Sequence, residues 1–385
     1  MTADFASVLG EVLRPGMTVA VGDGVGAIRD GAALSAVARD VGSVRLVLGW
    51  LPAPIVGIDP DCFAEVVALM PGWGVRDVLS SPRAHFVPTR LAAISALLAG
   101  ALRPDVLITR LVERNGRLHF GTEVSWQSEL VDNGVPVLAI VDDTSPTASA
   151  EAALDPDRVT VVGHSSDGPM QLLLKNPEPV HEQLADAVLQ FVPDGARLQY
   201  GPGQLGTALL SRAKVPLQLD TGLLTDAVLD LDERGLLAGT PSASYLLGSD
   251  ALYDWADGKH ILRGISHTHD STRLSRGEPF VAVNTAIEID PWGQVNVEGV
   301  GDKVVGGIGG HSDYCSAGRM SRGGLSIIAV PSRFNGGSPL VQQLSRPAST
   351  PAYDVDVIVT EHGHADLRGA DWSQRRKLIT ELFEA

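Results

Sequence analysis

Short apolar runs alternate with stretches of helical period along most of the chain. Thr18-Val19-Ala20-Val21 reads as a buried strand, runs into Gly22-Asp23-Gly24-Val25-Gly26, and is followed by a helical pattern over Ala32–Ala38. Val44–Leu48, Asp105–Thr109 and Val135–Val141 are further strand patterns, and Leu91–Leu102 is an Ala- and Leu-rich helical one. The pattern breaks over residues 165–180, where Gly168-Pro169 and Asn176-Pro177-Glu178-Pro179 mark a crossing between halves. It then resumes with a helix over Val180–Phe191, a strand over Arg197–Tyr200 and a helix over Gly206–Arg212. Strands follow at Val281–Asn284, Leu325–Val330 and Val355–Thr360, and a helix at Ser373–Phe383. Strands alternating with helices predict an α/β fold with mainly parallel sheets. We expect two open α/β domains, residues 1–178 and 179–385.

Composition narrows the class. A chain of 385 residues exceeds one ordinary core, and its 42 Gly and 24 Pro supply the turns that short alternating elements need. A net charge of −16 argues against nucleic acid or an anionic membrane as main partner. No apolar run approaches the ~20 residues that span a bilayer. Cys62 and Cys315 stand far apart with no CxxC spacing, which fits a reducing cytoplasm and no thiolate metal site. The start, Met1-Thr2-Ala3-Asp4-Phe5-Ala6-Ser7, has no basic segment leading into an apolar one, so no signal peptide is expected.

Several segments carry candidate chemistry. Gly201-Pro202-Gly203-Gln204-Leu205 follows a strand and opens a helix, where glycines let backbone N–H groups approach an anion. Gly306-Gly307-Ile308-Gly309-Gly310 precedes His311-Ser312-Asp313, and a backbone N–H at Gly309 or Gly310 suits an oxyanion. Arg322, beside Gly323 and Gly324, suits a phosphate. Asn284, Ile287, Glu288 and Asp290 share one strand-like segment whose two carboxylates read as structural. His362 and His364 have no third ligand nearby, so no metal site is expected. Gly22–Gly26 does not fit a dinucleotide fingerprint and reads as a turn.

Taken together, Gly201–Leu205, Leu217-Gln218-Leu219-Asp220-Thr221-Gly222, Val283–Asp290, Gly306–Asp313 and Val359-Thr360-Glu361-His362-Gly363-His364-Ala365-Asp366-Leu367-Arg368-Gly369 resemble the acetyl-CoA hydrolase/transferase family. The family includes acetate- and 4-hydroxybutyrate-type CoA-transferases. The resemblance implies the CoA-transferase type of two-domain α/β fold, an acyl-CoA substrate and a homodimer. It also implies that Gly201, Pro202, Gly203, Gln204, Leu205, Ile287, Gly306, Gly310 and Arg322 contact coenzyme A.

The resemblance breaks at the acyl site. Family transferases form an acyl anhydride and then a CoA thioester on a glutamate, within a segment like His-Thr-Glu-Met-Phe-Ser-Asp. That glutamate falls on Gly222, which has no side chain to act as nucleophile. Asp220 is the nearest substitute, displaced by roughly 6–7 Å along a strand. Relatives place an asparagine where this chain has His269, and a histidine there can serve as general base. We therefore expect a hydrolase cleaving a thioester or a carbon–carbon bond, with His269, Gly309, Gly310 and the space at Gly222 as its catalytic positions. A transferase using Asp220 and a non-catalytic acyl-CoA-binding protein are the alternatives.

Overall fold

The computed structural model describes residues 3–334 and 336–384. The chain divides into two compact units. The first holds the chain up to Thr89, then Ala93–Leu172 and Ser244–Ser266; the second holds Arg90–Ala92, Leu173–Ala243 and the chain from His267 onward. The crossing at 172/173 lies inside the Gly- and Pro-rich stretch, and the chain later returns to the first unit over 244–266.

In the first unit, seven strands lie in the order 84–86, 65–68, 45–48, 18–21, 106–114, 137–142 and 159–165, all parallel, with Arg117–His119 folded antiparallel onto Val106–Arg114. Thr18–Val21 and Val137–Asp142 are buried at every position, as parallel strands covered on both faces must be. The chain steps outward from Thr18–Val21 and then returns to its other side at Val106, leaving a switch point between these strands. The Gly22–Gly26 turn sits there, and it cradles a carboxylate of its own chain. Gly26 N donates to Glu123 Oε2 at 3.0 Å, and a Cβ on Gly24, whose φ is +87°, would lie 2.5 Å from Glu123 Oε2. Asp23 Oδ2 accepts from Trp126 Nε1 at 2.9 Å and from Tyr245 Oη at 2.8 Å. Burial raises the pKa of Asp23 to about 6 and that of Glu123 to about 7.

In the second unit the strand order is 218–219, 197–200, 280–284, 325–329, 357–360 and 363–366. The first five are parallel and the last is antiparallel. Its switch point lies between Arg197–Tyr200 and Phe280–Asn284. The helix Gln204–Arg212 starts from the carboxyl end of the first of these strands, and the helix His311–Met320 runs back along Phe280–Asn284 and Leu325–Ala329. Gly318 permits that packing, since a Cβ there would lie 2.5 Å from Leu325 O. The last helix, Trp372–Glu384, buries Ile379, Leu382 and Phe383. Strands Glu65–Ala68, Ala84–Phe86, Val159–Ser165 and Gly363–Asp366 are not among those expected from the sequence. Three of them are sheet edges with half-exposed positions, where little apolar periodicity is required. No helix among the described residues is long and apolar enough to cross a membrane.

Candidate active site

The carboxyl ends of the second unit's parallel strands gather Gly201, Asp220–Gly222 and Asn284. Backbone bonds fix the Asp220–Gly222 turn. Asp220 N donates to Leu198 O, Thr221 N to Ser242 O, and Thr221 Oγ1 to Tyr200 O, at 3.0–3.1 Å for the outer two and 2.9 Å for the Thr221 N–H. This directs Gly222 at two side chains. A Cβ built on Gly222 would lie 3.2 Å from Tyr314 Oη and 3.3 Å from His269 Nε2.

His269 and Tyr314 are buried, at 1% and 3% exposure, with ring centroids 4.7 Å apart. Neither His269 Nε2 nor Tyr314 Oη has a hydrogen-bond partner among the described residues. His269 Nδ1 lies 2.9 Å from Thr268 Oγ1; with Nδ1 as that bond's donor, the Nε2 lone pair faces Gly222. Desolvation drives the His269 pKa down to about 3, and the nearby Arg273 charge adds to this, so the imidazole is neutral throughout the physiological range. Desolvation likewise lifts Tyr314 well above the usual phenol range, so it remains a donor.

Gly310 caps the ten-residue helix His311–Met320 and abuts the same ring. A Cβ on Gly310 would lie 2.5 Å from His269 Nε2, so only glycine lets the imidazole rest against this helix start. Gly309 takes φ +56°, and its carbonyl accepts from Leu91 N at 2.9 Å. The helix start carries partial positive charge and directs amides outward, an arrangement suited to an oxyanion. The structure thus brings Gly222, His269 and Gly310 together, with Gly309 next in the chain.

The other expected residues fall in different places. Gly201 and Gly203 have open space where a Cβ would stand, and Gly203 takes φ +129°, so the 201–205 turn presents accessible backbone. Gln204, however, uses its amide on Asn176 O at 2.7 Å. Ile287 is half-buried with its N–H bonded to Asn296 O, and Gly306 is half-buried with open space at its Cα. Arg322 is not with them. It lies past the far end of the His311 helix, beside the amino end of Leu325–Ala329, so about 15 Å of helix separates it from Gly310. Its nearness to the Gly-rich segment in sequence becomes distance in space because the helix between them runs the full height of the sheet.

Asp220 does not point at Gly222's neighbours as a free carboxylate. Arg273 grips both its oxygens, at 2.7 and 2.8 Å, and Arg197 Nη1 lies 3.4 Å away. Glu288 accepts from Asn296 Nδ2 and from both Ser345 donors, while Asp290 accepts from Trp292 N and Gln294. His311 joins its helix to two other segments, with Nδ1 2.7 Å from Thr350 Oγ1 and Nε2 2.9 Å from Thr285 O. Burial pushes the Cys315 thiol up to about 12, which leaves it inert as a nucleophile. Among the described residues no cluster of His, Cys, Asp and Glu is placed to hold a metal. The sequence reading missed Tyr314. It follows directly on the Gly306–Asp313 segment, whose residues carry no sign of the hydroxyl's role.

Residues 248–383 match the acetyl-CoA hydrolase/transferase C-terminal domain. The chain is 24% identical over 335 residues to the 4-hydroxybutyrate coenzyme A transferase of Clostridium kluyveri, covering 82% of this chain and 78% of that protein. It is 27% identical to the succinyl-CoA:cyclohexane-1-carboxylate CoA transferase of Geobacter metallireducens, covering 78% and 73%. The crystal structure of RipA from Yersinia pestis shares the fold, with a TM-score of 0.87 at 21% identity over 99% of this chain and 93% of that one. The CoA-transferase type of α/β fold and these matches lead to one conclusion: residues 248–383 match the acetyl-CoA hydrolase/transferase C-terminal domain, and along most of its length the chain is similar to CoA-transferases.

Proposed function

We propose that this protein is a hydrolase that adds water to the carbonyl of an acyl-CoA without forming a glutamyl-CoA intermediate. The family acts on CoA thioesters. The observation that carries the reading is the meeting of His269 Nε2 and Tyr314 Oη at Gly222, where a side-chain nucleophile would otherwise begin. A neutral imidazole with its lone pair directed at that space accepts a proton from water as water attacks, and the negative charge growing on the acyl oxygen offsets the desolvation that holds its resting pKa near 3. Gly310 abuts the same ring, and the amides of Gly309 and Gly310 at this helix start are the donors assigned to the oxygen of the tetrahedral intermediate. The Gly201–Leu205 turn offers backbone to the CoA moiety, with Ile287 and Gly306 as further contacts. Asp220 supports this over a transferase, because Arg273 and Arg197 engage its oxygens.

The test is a panel of acyl-CoAs, including branched and cyclic β-keto ones, with chromatography for free CoA or for a product gaining one water. Intact mass after turnover should show no covalent CoA adduct, and His269→Ala should lower the rate by roughly 10²–10⁴-fold. A CoA adduct on a carboxylate would restore the transferase reading. Tight binding of every acyl-CoA with no turnover would make the protein a binder.

A further inference from the structure

Two orphaned polar atoms facing one glycine are complementary in kind. Both atoms lack partners; with His269 Nδ1 donating to Thr268 Oγ1, Nε2 is an acceptor, and Tyr314 Oη is a donor. Buried polar groups almost always find partners within the protein, so a rigid, buried orphan marks a group held for something that enters. Tyr314 is rigid. It lies in the first turn of the His311 helix, its N–H bonds Gly310 O at 3.0 Å, and its ring packs between His269 at 4.7 Å and Phe280 at 6.2 Å. Oη faces Gly222, 3.2 Å from where a Cβ would stand there.

We propose that Tyr314 is a catalytic residue whose phenol O–H donates to the acyl carbonyl oxygen that becomes negative as water adds. The proposal rests on the hydrolase reading and names the donor that partners His269. In the addition step, a water O–H proton passes to His269 Nε2 and the water oxygen bonds to the thioester carbon. The carbonyl π pair moves onto oxygen, where the Tyr314 O–H holds it without giving up its proton. In the collapse, that pair re-forms the C=O bond, the C–S bond breaks, and sulfur takes the proton from His269. The products are a carboxylic acid and CoA thiol. Because Tyr314 keeps its proton at every working pH, its contribution is a fixed dipole already in place.

Tyr314→Phe keeps the ring and removes only the hydroxyl. The expected result is a kcat about 10²–10³-fold lower with KM within about twofold, and a Tm equal to or above that of the parent. A second readout is independent of turnover. The ¹³C=O-labelled ketone analogue of acetyl-CoA, with CH₂ in place of sulfur, is bound to each protein and its carbonyl stretch recorded by infrared difference. The stretch should lie at lower frequency in the parent than in Tyr314→Phe. Identical stretches in the two proteins would overturn the proposal, whether or not kcat falls. A shifted stretch with no acyl-CoA turnover in the parent would sink the hydrolase reading while upholding the contact.

Discussion

Arg273 holds Asp220 by both carboxylate oxygens, at 2.7 and 2.8 Å, two residues before Gly222. Asp220 is 3% exposed and Arg197 is 8% exposed, so the cluster is largely removed from water. Breaking such a pair leaves an uncompensated buried charge. Asp220→Ala should cost about 3–5 kcal/mol of stability by urea denaturation. Asp220→Asn, assayed where it remains folded, should retain measurable hydrolysis. Complete loss of chemistry in a well-folded Asn variant would give Asp220 a direct role.

Gly222→Ala places a methyl group 3.2–3.3 Å from Tyr314 Oη and His269 Nε2. Gly222 does not take a positive φ, and a shift of a few tenths of an ångström in the two rings relieves the contact, so the fold should tolerate the change. The methyl occupies the space in which water and the acyl oxygen meet the pair. Hydrolysis should fall by about 10²-fold or more while Tm changes little. Undiminished turnover would move the chemistry away from this glycine.

His269 and His311 are buried neutral, with pKa values of about 3 and about 4. Below the unfolded value of about 6.5 the unfolded chain binds protons that these two histidines refuse. Their contribution to stability is therefore complete above pH 6.5 and is lost as pH falls towards 4, by at most about 1.4 kcal/mol per pH unit for each. Asp23, Glu123 and Asp313, raised to about 6, about 7 and about 6, act in the opposite sense, losing their contribution as pH rises. His269→Gln should thus show a smaller drop in Tm between pH 7 and pH 5 than the parent. The parent's hydrolysis should show no acid limb near pH 6.5.

Arg322→Ala should leave acyl-CoA affinity within about twofold, since its exposed side chain stands about 15 Å of helix from Gly310. Calorimetry with an acyl-CoA and with the free acid separates the cases. Selective weakening of the CoA thioester would put the phosphates at the amino end of the sheet.

Much of the fold was legible because buried parallel strands must be apolar throughout. Thr18–Val21 has the limits its sequence predicts, and so has Arg197–Tyr200, although Arg197 and Gln199 break its apolar run. The Gly222–His269 pairing was legible only through resemblance, since 46 intervening residues carry no local sign that the two meet. Tyr314 was obscured because an aromatic on a buried helix face ordinarily fills a core, and nothing local reveals that its hydroxyl lacks a partner. Arg322 stands apart from Gly310 because the ten residues of the His311–Met320 helix lie between them, which a motif read along the chain treats as a loop. The return of 244–266 had no signal at all, because its Tyr245 and Leu262 would suit either unit.

That return has a consequence for how the protein is made. Tyr245 supplies hydrogen bonds to Asp23 and to Ser125 Oγ, both at 2.8 Å, and Ala148 O accepts from Ile261 and Leu262. A nascent chain therefore leaves the ribosome with its first sheet assembled but its carboxylate-rich switch point unsealed until residue 266 has emerged, after 71 residues of the second unit's sequence, Leu173–Ala243. The amino-terminal half cannot mature first and wait. Truncation at 172 should yield a sheet with Asp23 short of a donor and prone to capture by chaperones, whereas fusing 244–266 directly behind Leu172 supplies the missing seal in a single continuous polypeptide.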